Sequence, residues 1–128
     1  ALLEALGLEP AEWYKGVEDY MLVYQSEGEI SSITPDFEQL KKVTQRGVIV
    51  TAQGSQTDFI SRFFAPTAGI NEDPVTGSAH TTLTPYWAKR LKKSKLTAMQ
   101  VSPRGGNINC LDKGERVEIS GRVAFYLQ

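Results

Sequence analysis

The sequence predicts an α+β fold, a mixed β-sheet or barrel wrapped around a central α-helix. Two observations carry this. From Ala79 to Ala88 no residue bears a formal charge apart from the titratable His80, while Ala79, Leu83, Tyr86, Trp87 and Leu91 recur at helical spacing. The other side of that helix holds only Thr81, Thr82, Thr84 and Pro85. A helix with so little charge around its circumference is expected to be buried on most sides. The segments before and after it are rich in β-branched and aromatic runs separated by turn residues, which read as strands. Strands on both sides of one uncharged helix imply a sheet that encloses it.

Residues 1–10 read as a linker or helix tail: Ala1 to Leu6 is rich in helix formers and Gly7 stops it. The chain opens without methionine, directly in this helical phrase, which reads as the inside of a longer protein. Residues 11–128 read as one domain. Trp13 to Gly16 is a short strand, and Tyr20 to Gln25 is an apolar run of strand length. Ser26 to Ser32 is polar and reads as a loop or a single turn. Pro35 to Val43 reads as an amphipathic helix, with Phe37, Leu40 and Val43 inward, acids early and lysines late, and Thr34 or Asp36 as its cap. Gly47 to Ala52 is a buried strand, Gly54 to Thr57 a turn, and Asp58 to Ala65 the next strand, closed by Pro66. Strict alternation sets Phe59, Ser61, Phe63 and Ala65 on one face and Ile60, Arg62 and Phe64 on the other. Arg62 thus sits among apolar neighbours; most such arginines snorkel to the surface, and one that ends near Asp73 would form a buried ion pair. Pro85 is expected to bend the central helix. Beyond it, Leu96 to Pro103, Asn107 to Leu111 and Arg116 to Leu127, the last with a break expected at Gly121, are strands joined by turns at Arg104-Gly105-Gly106-Asn107 and Asp112-Lys113-Gly114-Glu115.

Composition excludes several classes. The chain has 128 residues, 41% hydrophobic and 23% charged, long enough for a real core. A net charge of −1 gives no basic field to recruit nucleic acid. The basic cluster at Lys89, Arg90, Lys92, Lys93 and Lys95 complements a helix C-terminus and lacks interleaved aromatics for base stacking. No apolar run is long enough to span a bilayer, so no membrane partner is expected. The single Cys110 cannot form an internal disulfide, which fits a reducing, cytoplasmic compartment. One histidine and one cysteine far apart make no metal-ligand cluster. No P-loop, dinucleotide fingerprint or nucleophile elbow is present. Proton chemistry without a metal or cofactor remains, since it needs only a positioned acid or base and an electrostatic clamp.

The stretch that fits this chemistry is Asn71-Glu72-Asp73-Pro74-Val75-Thr76-Gly77-Ser78-Ala79-His80. An acidic loop runs into a helix start for which Thr76 or Ser78 is a natural N-cap. Gly77 lets a ligand approach the backbone, and the unpaired N–H groups of a first helical turn bind carboxylate or phosphate. The same residue types are also ordinary turn chemistry.

This stretch, with Ser61-Arg62-Phe63-Phe64-Ala65-Pro66 before it, Pro85-Tyr86-Trp87-Ala88 after it, and the later Arg104-Gly105-Gly106 and Val117-Glu118-Ile119-Ser120-Gly121, resembles the C-terminal half of the phenazine-biosynthesis-like PhzF proteins. The resemblance runs from about Leu8 onward. It implies one half of a diaminopimelate-epimerase-like fold, in which two similar halves each wrap a mixed sheet around a helix and the helix N-termini face each other across a cleft. The family's best-known members isomerise dihydro-hydroxyanthranilate by moving a proton, without metal or organic cofactor. By that resemblance Asp73 is an active-site acid, Gly77 and Ser78 offer backbone N–H groups to a substrate carboxylate, and Asn71, Glu72 and Thr76 support the loop. Ser78 stands where related epimerases carry a cysteine, which disfavours two-thiol racemisation.

The family's principal acid/base glutamate belongs to the N-terminal half, which these 128 residues do not contain. The chain is therefore expected to be an isomerase when joined to that half and inactive alone. Two alternatives stand beside this. One is a non-enzymatic module that binds carboxylates or pairs with a second copy as a homodimer; the other is a purely structural domain.

Overall fold

A computed structural model describes residues 2–15, 19–44, 47–73, 77–101, 106–112 and 117–123. Among the described residues, four α-helices and eight strands follow one another as α1 (Leu2–Leu6), β1 (Glu12–Lys15), β2 (Asp19–Val23), α2 (Glu27–Ser32), α3 (Phe37–Val43), β3 (Gly47–Gln53), β4 (Phe59–Ala65), β5 (Ile70–Asp73), α4 (Gly77–Leu91), β6 (Lys95–Gln100), β7 (Gly106–Asp112) and β8 (Val117–Val123). All eight strands join one mixed sheet in the order β1-β2-β3-β4-β6-β7-β8, with β5 attached to β4. The pairs β2–β3 and β4–β6 are parallel and the rest antiparallel. The predicted α+β architecture is therefore present, with β6, β7 and β8 all reaching α4.

Strand alternation divides the core between the two faces of the sheet. Leu22, Val48, Val50, Ala52, Ile60 and Phe64 pack with Ala5 and Leu6 of α1, Ile30 of α2 and Leu40 of α3. Met21, Val23, Ile49, Phe59, Leu96, Ala98 and Cys110 pack on the opposite face with Leu83, Trp87 and Ala88 of α4. Phe59 and Phe63 thus share the α4 face, while Ile60 and Phe64 share the other, as the alternation of β4 requires.

The segment 26–32 departs from the expected loop. Ser26 Oγ accepts from Glu29 N at 3.3 Å, and Glu29 Oε1 accepts from Ser26 N at 3.1 Å. This capping box satisfies donors at both ends of the first turn, and burial of Ile30 holds the helix to the sheet. Asp36 caps α3 by accepting from Gln39 N at 3.1 Å. Two glycines are required by their surroundings. Gly47 faces Asp19 across the β2–β3 pair, and a Cβ there would come within about 2.5 Å of both Asp19 and the Phe63 ring. Gly69, at φ 90°, ends the short 3-10 turn Pro66–Ala68 in the left-handed conformation.

Among the described helices α4 is the most buried, with His80, Leu83, Thr84, Trp87 and Ala88 all sealed. Burial covers most sides of the helix, as expected, and Thr82 and Pro85 are its exposed stripe. The sheet encloses the helix without closing over that stripe. Thr84, assigned by charge to the polar side, is buried, since a hydroxyl with no charge can enter the core beside the Cys110 thiol. The helix runs unbroken from Gly77 to Leu91 with Pro85 inside it.

Trp87 binds the helix to the sheet. Its indole N–H donates to Thr51 Oγ1 at 3.0 Å, and Thr51 donates in turn to the Ile60 carbonyl at 2.6 Å. Its ring stacks on Phe59 with centroids 5.9 Å apart and planes within 8°. At the sheet edge, Glu12 of β1 accepts from Tyr86 Oη at 2.9 Å and from Arg90 at 2.8 Å. The Tyr14 and Tyr86 hydroxyls and the Arg90 guanidinium hold the Glu12 carboxyl below its ordinary range.

Candidate functional site

The sheet forks along one edge of β4. Its first half, Phe59 to Ser61, pairs with β6, and Ser61 lies opposite Gln100. Its second half pairs with β5, where Phe63 lies opposite Asp73 and Phe64 opposite Glu72. Since β6 is parallel to β4 and β5 antiparallel, the C-terminal ends of both strands run toward each other and stop at Arg62. Both chains must leave the sheet there.

The start of α4 follows β5 closely in the chain. Only residues 74–76 separate Asp73 from Gly77, so the helix begins within about 14 Å of the end of β5. Gly77 and Ser78 are its first two residues, and amides in that position have no acceptor within the helix. Ser78 is therefore inside the first turn and is not the cap. Thr76, the other capping candidate, lies outside the described residues, as do Pro74, Val75 and the Arg104-Gly105 turn. Asn71, Glu72 and Asp73 stand consecutively on β5 rather than in a loop, because this segment pairs with β4. Asn71, Glu72 and Asp73 thus lie on β5, whose end stands at the fork, and Gly77 and Ser78 open α4 a short stretch of chain further on.

Arg62 does not snorkel to the surface but pairs with Glu72, the neighbour of Asp73. The pairing is two-pronged: Nε donates to Glu72 Oε2 and Nη2 to Glu72 Oε1, each at 2.9 Å. Strand alternation explains the choice. Glu72 is opposite Phe64, on the face that Arg62 shares, whereas Asp73 takes the register position of Phe63 on the α4 face. Arg62 Nη1 also donates to the carbonyls of Ile30 at 2.9 Å and Ile33 at 2.8 Å, at the end of α2.

Three buried polar residues stand near these elements: Ser61 and His80, which lie within the sequence motifs without a role, and Gln100, which the sequence did not single out. Gln100 follows Leu96 and Ala98 on the inward alternation of β6, which is the signal that would have found it. His80, one turn into α4, lies 5.9 Å from the Phe59 ring. Among the described residues no group of three or more His, Cys, Asp or Glu is placed to hold a metal ion.

A cavity of about 1060 Å³ lies elsewhere, at the C-terminal end of α4, bordered by Thr57, Asp58, Lys93, Lys95, Thr97 and Asn109. Its acid is already engaged. Asp58 accepts from Lys93 Nζ at 2.7 Å and from Thr97 N at 2.8 Å. Burial pushes the Asp58 carboxyl up, but these donors outweigh it and hold the group below its ordinary value. This cavity shares no residue with the fork.

Comparison with known proteins decides the family. The description phenazine biosynthesis-like protein (PhzC-PhzF) matches residues 2–128. The chain belongs to the phenazine biosynthesis-like family. An uncharacterised isomerase of Pseudomonas aeruginosa is 52% identical over 126 residues, covering 98% of the chain and 48% of that protein. Phenazine biosynthesis-like domain-containing protein 1 of Mus musculus is 46% identical over 101 residues, covering 73% of the chain and 34% of its own length. Among solved structures, a PhzF family protein of Enterococcus faecalis superposes with a TM-score of 0.88 at 50% identity, covering 94% of the chain and 46% of that protein. The enclosed helix and mixed sheet are thus those of a PhzF protein, of the diaminopimelate-epimerase-like fold. The chain spans about half the length of these bacterial relatives. Among the described residues no helix is long and apolar enough to cross a membrane.

Proposed function

We propose that this chain is the C-terminal half of a cofactor-independent PhzF-like isomerase that moves a proton on a small carboxylate substrate. The observation that carries the reading is the fork: the ends of β5 and β6 meet at Arg62, and only three residues separate Asp73 from the start of α4. In this reading the Gly77 and Ser78 amides bind the substrate carboxylate, where the helix dipole adds to hydrogen bonding. Asp73 acts as the acid or base, with Asn71, Glu72 and Thr76 shaping its surroundings. An anion on the amides and a carboxylate at Asp73 repel each other. Asp73 therefore serves proton transfer, or a substrate amine or hydroxyl, and does not bind the substrate's carboxylate.

The site is completed by a second half that brings the family's glutamate, so the 128-residue chain alone is inactive. The test is turnover of a dihydro-hydroxyanthranilate in deuterated water, followed by mass spectrometry. The full two-half protein incorporates solvent deuterium, its Asp73→Asn variant loses the activity, and the isolated chain shows none. Turnover by the isolated chain would overturn the claim of incompleteness. Full activity of Asp73→Asn would overturn the assignment of the acid.

A second reading, a module that pairs with another copy of itself, is favoured by the edge strand β1. Its Trp13 is 60% exposed and Tyr14 46%, and among the described residues β1 pairs only with β2. Large exposed aromatics on an open edge invite another surface. Sedimentation at high micromolar concentration tests it: a Trp13→Ser variant is expected to shift the chain toward monomer, and a wild-type monomer would end this reading.

A further inference from the structure

We infer that Arg62 is a positioning residue for the candidate site: by gripping Glu72 it fixes the register of β5 and so determines which of two adjacent acids stands at the fork. This rests on the carboxylate-site reading above. Glu72 and Asp73 are neighbours, so a slip of one residue in β5 would exchange their faces. Backbone pairing alone resists such a slip poorly. β5 has four residues, and its register with β4 shifts between Phe64 and Ala65.

Arg62 supplies what the backbone lacks. It occupies the position on β4 between the part paired with β6 and the part paired with β5. Its side chain is anchored independently of β5 by the Ile30 and Ile33 carbonyls and by the Phe64 ring, whose centroid is 4.9 Å from the guanidinium carbon. From that fixed point the planar fork reaches both oxygens of Glu72. With side chains only 13% and 15% exposed, the pair is shielded from solvent competition. Glu72 is thereby committed to the face of α2, and Asp73 is left in the register position of Phe63, on the face of α4.

The test is nuclear magnetic resonance on the 128-residue chain, with benzoate as the probe. Three quantities are read well below the melting temperature: the benzoate affinity reported by the Gly77 and Ser78 amides, the titration of the Asp73 carboxyl, and cross-strand contacts between Phe63 and Asp73. Arg62→Met is expected to weaken benzoate about tenfold or more, because small displacements of positioned groups cost far more than their own contacts. It should also move the Asp73 titration and remove the Phe63–Asp73 contacts. Arg62→Lys, which keeps the charge but not the fork, should restore these only in part.

Should Arg62→Met not fold, Glu72→Gln carries the same three readouts, since Arg62 keeps its hold on the α2 carbonyls. A merely structural role would lower the melting temperature while leaving affinity, titration and register unchanged, and that result would overturn the inference. If wild-type chain gives no benzoate response at Gly77 and Ser78, the carboxylate-site reading falls instead. The Phe63–Asp73 contacts then decide the register claim by themselves.

Discussion

Truncating Trp87 to alanine removes the largest side chain in the α4 face of the core. The indole is 2% exposed, stacked on Phe59 and edge-on to Tyr86 with centroids 5.1 Å apart. A Trp side chain buries roughly 150–250 Å², worth about 4–6 kcal/mol at about 25 cal/mol per Å². Compact denatured chains reduce the area term, and an incompletely collapsed cavity adds to the loss, so the net sits near the measured range of about 3–5 kcal/mol. The hydrogen bond adds little, because Thr51 Oγ1 still donates to Ile60 after the indole is gone. With a urea dependence of roughly 1.5 kcal/mol per molar, the midpoint should fall by about 2–3 M with the slope unchanged. Urea unfolding followed by far-ultraviolet circular dichroism provides the assay, as it does not depend on the deleted fluorophore. A loss below about 1 kcal/mol would refute the reasoning, since no buried tryptophan bridging helix and sheet is so easily replaced.

Three further outcomes are expected. Arg62→Met should destabilise by about 3 kcal/mol in denaturant unfolding, leaving the shielded Glu72 carboxylate unpaired and the Ile30 and Ile33 carbonyls without the guanidinium, whereas Glu72→Gln should cost only about 1–2 kcal/mol; equal losses would contradict the anchoring of Arg62 at the end of α2. Asp58 titrates in the folded chain below its ordinary 3.8, so its contribution is complete above that value and is lost as pH falls through the folded pKa. Asp58→Asn should accordingly narrow the stability gap to wild type below about pH 4, and a gap that persists at lower pH would refute this. Burial pushes the Cys110 thiol up, only partly offset by Thr84, so a thiol reagent at pH 8 should label native chain at least about a hundredfold more slowly than unfolded chain; equal rates would place Cys110 at the surface.

The elements whose patterns arise from burial were readable in the sequence. The uncharged run 79–88 located α4 because a helix enclosed by strands has no use for charge on most of its surface. The alternation in 59–65 correctly divided β4 between the two faces, since side-chain direction in a strand follows from the backbone alone. What escaped depends on partners remote in the chain. Residues 26–32 look polar because only Ile30 is needed to bind α2 to the sheet, while the capping box stabilises the rest locally. The choice of Glu72 over Asp73 by Arg62 needed the register of β5, which no local pattern states. Thr82 and Pro85 were indistinguishable from the buried Thr84 because an uncharged residue is compatible with either environment. For the site, family resemblance pointed to Asp73, Gly77 and Ser78, but nothing local revealed that the ends of two strands meet beside them. Gln100 and Ser61 look like ordinary strand residues until β4 and β6 are paired.

The fork also makes β4 the hinge pin of the sheet's hydrogen bonding. On one side β1, β2 and β3 form a continuous ladder; on the other β6, β7 and β8 form a second; and β4 is the strand that joins them, with β5 as a spur. The parallel β4–β6 pair closes only after the whole of α4 has been traversed, so it brings a long loop-closure entropy that local hairpins such as β6–β7 and β7–β8 do not. A chain wired this way is expected to assemble its hairpins early and to become cooperative only when β4 is captured from both edges. The slowest-exchanging amides should then belong to Val48–Ala52 and Phe59–Ser61. A single proline at Ile60 would uncouple the two ladders, leaving two partly ordered sheets where there had been one protein.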